Sequence, residues 1–453
     1  MRSPENEDPA AEPELDELPP TELTFSAPPP TTRLPAGLSA FRHHNFRLFW
    51  GGMAISLIGT WMQQIAQVWL VLQLTNDPLA LGVVAAAQFT PVLFLGLFGG
   101  LVADAVSKRR ALVVTQMAAG TLALVLGLLV VGGNVQVWHV FGIALLLGVV
   151  NSFDMPIRQA FVVEMVGRRD VANAVALNSS VFNLTRIIGP AVAGVTIATI
   201  GLEPLFFVNA ISYLAVVASL FLMRPAELRP PTERAVFERT FRSVIDRLVE
   251  GLRYTRREPS IFLAITVLGV VSTFALNFSV LIPLLARDIL GGDADTYGFL
   301  MSAAGLGSLV SALTIAFGQR PTLRLLLFGA AVVGVGMIGL GLSHWFPLSL
   351  VLMFVAGWGT IAMAATANTI IQLTVPDVLR GRVMSVHTTV FAGSTPFGGI
   401  FAGSVAGLAG ASMALAAGGV IALLAAAGGY LRLPGRAPMG PLTALSRRHA
   451  RNR

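Results

Sequence analysis

The sequence has no cysteine, one lysine, and charged side chains at only 12% of its 453 positions. Without cysteine, disulfides and thiolate metal sites are excluded. The lone lysine, Lys108, follows Ser107, whereas a P-loop places Gly before the Lys that reaches the nucleotide phosphates. No ATPase of that kind is encoded. Six scattered histidines form no His-Glu-x-x-His, and no Gly-x-Ser-x-Gly occurs, so the motifs of a zinc hydrolase or a serine hydrolase are missing. Gly334-Val-Gly336-Met-Ile-Gly339 spells a dinucleotide-binding pattern, but it lies in an apolar run with no strand before it. The reading is of a protein that is no enzyme and holds no metal or cofactor.

The scarcity of charge also excludes an ordinary soluble domain, which carries roughly 25%. What is abundant instead is apolar surface: 54% of the residues are hydrophobic. Lipid offers no partners to free backbone groups, so such a chain must fold as helices or as a closed barrel. Barrel strands alternate apolar and polar residues, and here the runs are continuous. They cover 48–74, 79–102, 111–131, 138–155, 172–200 and 205–223, then 261–285, 297–317, 323–342, 346–371, 383–408 and 411–431. The expectation is an all-α membrane protein with twelve transmembrane helices, six plus six.

The basic residues test that count. With both termini cytoplasmic, the tails and even-numbered loops hold 29 of the 31 Lys and Arg, leaving only Arg186 and Arg287. Adding or dropping a span would scramble this division, so the positive-inside rule supports it. The net charge of +7 therefore marks a membrane face and implies no nucleic-acid partner.

Five regions follow. Residues 1–33 form an acidic, proline-rich tail with eight acids and Arg2 and Arg33 as its bases, a composition of disorder and not of a signal peptide. Residues 34–224 are the first six-helix half, opening on a basic and aromatic stretch (Phe41, Arg42, Phe46, Arg47) suited to a membrane surface. Residues 225–260 are a polar linker in which Phe237, Phe241, Val244, Ile245, Leu248 and Leu252 recur at helical spacing, as in an amphipathic, solvated connector. Residues 261–432 are the second half and 433–453 a basic tail. Matches recur between the halves at a steady offset of about 207–212 residues: Gly189–Gly194 with Gly398–Gly403, and Gly100-x-x-x-Asp104 with Gly307-x-x-x-Ser311. Two such repeats with a substrate path between them are a recurrent transporter design.

The most specific local pattern is Gly100-Leu-Val-Ala-Asp104-Ala-Val-Ser-Lys108-Arg109-Arg110. It resembles the signature loop between the second and third helices of the major facilitator superfamily, departing from it at Ala105 and Ser107. That resemblance implies that Asp104 braces a cytoplasmic gate against the other half. Asn151-Ser-Phe-Asp154-Met-Pro156-Ile-Arg158, Asn183-Leu-Thr-Arg186-Ile-Ile-Gly189-Pro190 and Pro283-Leu-Leu-Ala-Arg287-Asp288 are similar to the branch of enterobactin exporters and macrolide-efflux proteins. This implies secondary active export of a small siderophore- or drug-like molecule from the inner membrane, with protons as coupling ion and a monomeric chain. Import of a small solute on the same fold, or a non-transporting membrane sensor, is the alternative.

Two charges fall deep within the spans. At 1.5 Å per residue from Trp138, Asp154 lies about 24 Å down the fourth helix, inside a core about 30 Å thick. Arg186 sits at comparable depth on the fifth. Charges at such depth are functional candidates by default. Asp154 is expected as the proton-coupling acid, with Arg186 its alternating partner; a fixed ion pair, with Arg158 a second possible partner, is the other reading. Gln63, Gln64, Gln67, Asn178, Asn183, Asn277, Asn368, Gln372 and His387 are candidates for a substrate path, though each alone can equally be an interhelical hydrogen bond.

Overall fold

The computed structural model describes residues 36–229, 241–318 and 321–433, and every extended element among them is helical. The acidic tail, Phe237 in the linker and nearly all of the basic tail lie outside the described residues, as do the side chains of Asp104, Phe241, Val244 and Ile245.

A short 3₁₀ segment, Ala36–Arg42, leads into α1 (His44–Thr75), α2 (Pro78–Ala105), α3 (Lys108–Val131), α4 (Val137–Ile200) and α5 (Glu203–Leu222). The linker carries α6 (Phe241–Arg257). Then come α7 (Pro259–Phe274), α8 (Phe278–Leu284), α9 (Ala294–Gly318), α10 (Leu323–Leu342), α11 (Phe346–Thr374) and α12 (Asp377–Leu431). Helix starts follow local chemistry: Asp77 accepts the Leu79 N–H at 2.8 Å and Thr322 accepts that of Leu325 at 3.1 Å, each satisfying a first-turn donor.

Ten helical stretches are long and apolar enough to cross a membrane. Two of them cannot do so as single rods. A helix of 64 residues such as α4 would reach about 96 Å at 1.5 Å per residue, about three bilayer cores. Gly167, at φ 72° and ψ 173°, breaks it into arms 137–166 and 168–200. Gly410, at φ 84°, likewise divides α12 into 377–409 and 411–431. Only glycine takes such angles without a Cβ penalty. The first arm of α4 packs on α2, where a Cβ on Gly99 would overlap the Ser152 carbonyl; the second packs on α1, where one on Gly189 would lie 2.5 Å from the Trp61 Cβ.

The run at 261–285, expected as one helix, is interrupted at Ala275–Asn277 and ends in a π turn, Leu285–Ile289. The break frees backbone acceptors, and Asn277 Nδ2 donates to the Thr273 carbonyl at 2.8 Å. The kink seats on α12, where Gly398 leaves room for the Thr273 carbonyl and the Asn277 side chain.

The linker helix is more than a solvated connector. Glu250 of α6 pairs with Arg382 of α12, and Gly251 lies against the Arg382 backbone. Leu248 and Tyr254 pack on a cluster of Ile261, Ile371 and Val383. This ties α6 to the second half.

Candidate functional site

Asp154 projects from the first arm of α4 into the bundle and is 2% exposed. Its Oδ1 accepts the Thr115 hydroxyl at 2.7 Å and the Gln116 amide at 2.8 Å, both from α3. Its Oδ2 pairs with Arg158 one turn along its own helix. A carboxylate this deep in a membrane requires such partners. Three side chains thus direct donors at this one carboxylate.

Arg186 is not among those donors. It makes no hydrogen bond or ion pair with the described residues. Its helix faces the other half instead: the Ser302 hydroxyl of α9 donates to the Ile187 carbonyl at 2.7 Å, and Gly305 lies against the Arg186 backbone. The expected Asp154–Arg186 pair is therefore absent here, and Arg158 takes that place. The reason is reach: residues i and i+4 share a helix face, whereas Arg186 sits on an arm that turns toward α9.

The cationic turn between α2 and α3 is resolved residue by residue. Lys108 is 9% exposed and donates to Glu164 at 2.7 Å, joining α3 to the first arm of α4. Arg109 Nε donates to the Leu220 carbonyl at 2.7 Å and its Nη2 to that of Phe221 at 3.4 Å, satisfying free carbonyls at the end of α5. Arg110 is exposed. Asp104 lies in the last turn of α2. Nothing would lie within 4 Å of a Cβ on Gly100; Gly99 meets the neighbouring helix instead. One residue along a helix is a turn of about 100°, enough to move the contact to another face.

The halves meet mainly at the end remote from this turn. There Gly82 faces the Gly399 carbonyl, a Cβ on Gly403 would lie 2.7 Å from the Pro78 carbonyl, and one on Gly194 would lie 2.8 Å from that of Ala294. Trp69 of α1 stacks on Tyr297 of α9, with ring centroids 6.5 Å apart. Toward the cationic turn, Gly96 meets only a side chain of its own helix at 4.0 Å and Gly100 meets nothing.

The expected polar path divides accordingly. Gln63 is buried and accepts from Asn209 of α5 at 2.7 Å, and Asn277 serves the break between α7 and α8. Gln67 is buried, and Asn178 and Asn183 are half-buried, Asn183 donating to Ser179 of its own helix. Gln372 donates to Asn368 one turn away. Most of these amides therefore already serve the helices. The partners Thr115, Gln116, Glu164 and Asn209 were not singled out from the sequence; the one signal for Thr115, Gln116 and Asn209 was a polar side chain within an apolar run, and Glu164 lies between two runs. No group of three or more metal-ligating side chains occurs among the described residues.

Comparison with known proteins places this geometry. The family described as transmembrane secretion effector matches residues 35–440. The multidrug efflux pump Tap of Mycolicibacterium fortuitum is 30% identical over 356 residues, covering 76% of this chain and 85% of that protein. The staphyloferrin A transporter of Staphylococcus aureus is 23% identical, covering 75% and 84%. Among solved structures, the nucleoside transporter NupG superposes with a TM-score of 0.70 at 11% identity, covering 88% of this chain and all of that one. A bacterial homolog of the human lysosomal transporter Spinster, in an inward-facing and unoccupied conformation, gives 0.69 at 12% identity, covering 86% and 97%. The family and these relatives are transporters and not enzymes.

Proposed function

Because the chain belongs to the transmembrane secretion effector family of the major facilitator superfamily, we propose that it exports a siderophore- or drug-like molecule across the inner membrane by alternating access, in exchange for protons. The carrying observation is one-sided contact: the halves press together at the end remote from Lys108, while a Cβ at Gly96 or Gly100 would meet nothing of the other half within 4 Å. On this reading the cationic end is cytoplasmic, both termini lie on that side, and the molecule faces inward.

The two glycine breaks turn ten apolar helices into twelve spans. Equivalent contacts support two six-helix repeats. Gly189 packs on α1 as Gly398 packs on α7; Gly194 packs on the start of α9 as Gly403 packs on the start of α2. Alternating access then consists of the halves rocking about glycine faces, and Gly100 with Asp104 closes on the second half when the inner end shuts.

Asp154 is the proposed proton-coupling acid. Protonation cancels its attraction for Arg158 and weakens the charge-assisted hydrogen bonds from Thr115 and Gln116, while Arg186, half-buried and without an ion pair among the described residues, places a positive charge on the arm that packs against α9. Asp154→Asn tests this, because the amide oxygen still accepts from Thr115 and Gln116 and only the charge is lost. In proteoliposomes with an imposed pH gradient, the variant is expected to keep substrate binding and lose gradient-driven flux. Gradient-driven export at the wild-type rate would remove Asp154 from the coupling role.

A further inference from the structure

Beside the start of α1 lies a cavity of about 570 Å³ whose wall holds Arg42, Arg47, Arg224 and Arg229, with His43 and His44 between them. We propose that this cavity binds the phosphate headgroup of an anionic phospholipid.

The charge balance favours an anion. Glu227 is the one acid in the wall among the described residues, and it is engaged by Arg224 at 3.0 Å. Asp170, just behind, is held by His43 at 2.9 Å and by Arg42 at 3.7 Å. Arg47 and Arg229 make no ion pair among the described residues. Two guanidinium groups are thus left facing one space, and a guanidinium matches phosphate oxygens in a fork.

The wall is a built one. Asn45 is 1% exposed; its Nδ2 donates to the Arg224 carbonyl and its Oδ1 accepts the Arg224 N–H, each at 2.9 Å. The Arg229 N–H donates to the Glu164 carbonyl at 2.9 Å. These bonds pin the segment after α5 to the start of α1 and the end of the first arm of α4. The arginines therefore converge by backbone design, without relying on chance side-chain reach.

Depth and surroundings select a lipid over a soluble phosphate. Arg224 directly follows Met223, where the sixth apolar run ends, and Arg47 directly precedes the first run at Leu48. Both charges thus sit at the headgroup level. Trp50, an amphipathic ring of the kind that marks an interface, meets Phe41 edge-on at 5.1 Å. Phe221 and Leu222, three and two residues before Arg224, are each 66% exposed, a surface for the acyl chains of a lipid whose phosphate enters the cavity.

The test is native mass spectrometry of the full chain with phosphatidylglycerol and phosphatidylcholine of equal chain length. Phosphatidylglycerol is expected to be retained preferentially. Arg47→Gln and Arg229→Gln should each weaken that retention about fivefold, the worth of one basic contact near a membrane surface. Arg256→Gln, an exposed cation of α6, should leave it unchanged. Equal retention of both lipids overturns the proposal, and so does an equal loss in the Arg256 variant, which would indicate diffuse charge alone. Inorganic phosphate displacing the lipid at millimolar concentration, with no chain-length dependence, would overturn the lipid as ligand. A photoreactive phosphatidylglycerol on the unmutated protein gives an answer independent of variant folding: labelling should map to residues 42–47 or 221–229, and labelling elsewhere overturns the assignment. The outcome does not depend on transport.

Discussion

Removing the charge of Lys108 should destabilise the first half more than removing any exposed cation. Lys108 is 9% exposed and Glu164 12%, and their N–O distance is 2.7 Å. In Lys108→Met most of the apolar stem remains, but Glu164 is left without its cation in a poorly solvated place. Breaking a buried pair by removing one partner costs about 3–5 kcal/mol. Glu164 keeps a little solvent, so about 3 kcal/mol, the lower end of that range, is the expected value. One kcal/mol moves the midpoint of a 150–250-residue domain by about 2–4 °C, so a fall of roughly 6–12 °C is predicted. The assay is thermal unfolding of the detergent-solubilised protein, compared at one fixed scan rate because such unfolding is irreversible. Lys108→Met/Glu164→Leu should recover most of the loss, since replacing both charges with apolar groups is close to neutral. A single variant within 2 °C of wild type, or a double variant no better than the sum of its singles, would refute the reasoning.

Other substitutions separate packing from movement. Gly99→Ala should destabilise by about 1–3 kcal/mol through overpacking against Ser152, whereas Gly100→Ala should leave the unfolding midpoint unchanged and slow transport. Gly82→Ala should hold the remote end apart; because the chain lacks cysteine, a single Cys at Ser302 would report this as faster thiol labelling. Glu250→Lys should free α6 from α12, seen as faster protease cleavage between 225 and 260, and Glu250→Arg with Arg382→Glu should restore protection. Asn45→Ala removes both hydrogen bonds to the Arg224 backbone and should cost about 1–3 kcal/mol, measured by the same thermal assay.

How far the sequence reached differs from element to element. The turns at 167 and 410 were legible, because Arg168 and Arg169 lie between two apolar runs and the residues around Gly410 separate two others. The interruption before Asn277 was not legible: Ala275 and Leu276 are as apolar as their neighbours, and the break depends on Gly398 arriving from α12. Asp154 could be singled out, since a lone acid in an apolar run is costly enough to carry meaning. Its partners could not. Thr115 and Gln116 are distant in sequence and unremarkable in kind, and their hydrogen bonds exist because α3 and α4 face one another at that height.

The sequence by itself determined that this chain crosses a membrane many times, which end of the bundle gathers its cations, and which charge lies deep within it. Those properties follow from transfer energies that each segment meets alone, against water or lipid. Only the tertiary structure decided that Arg158 and not Arg186 neutralises Asp154, that Gly99 and not Gly100 makes the close contact, and that four arginines surround one cavity. Such choices depend on the rotation of one helix against another, and a single residue changes that rotation by about 100° while leaving the hydropathy of the segment nearly untouched.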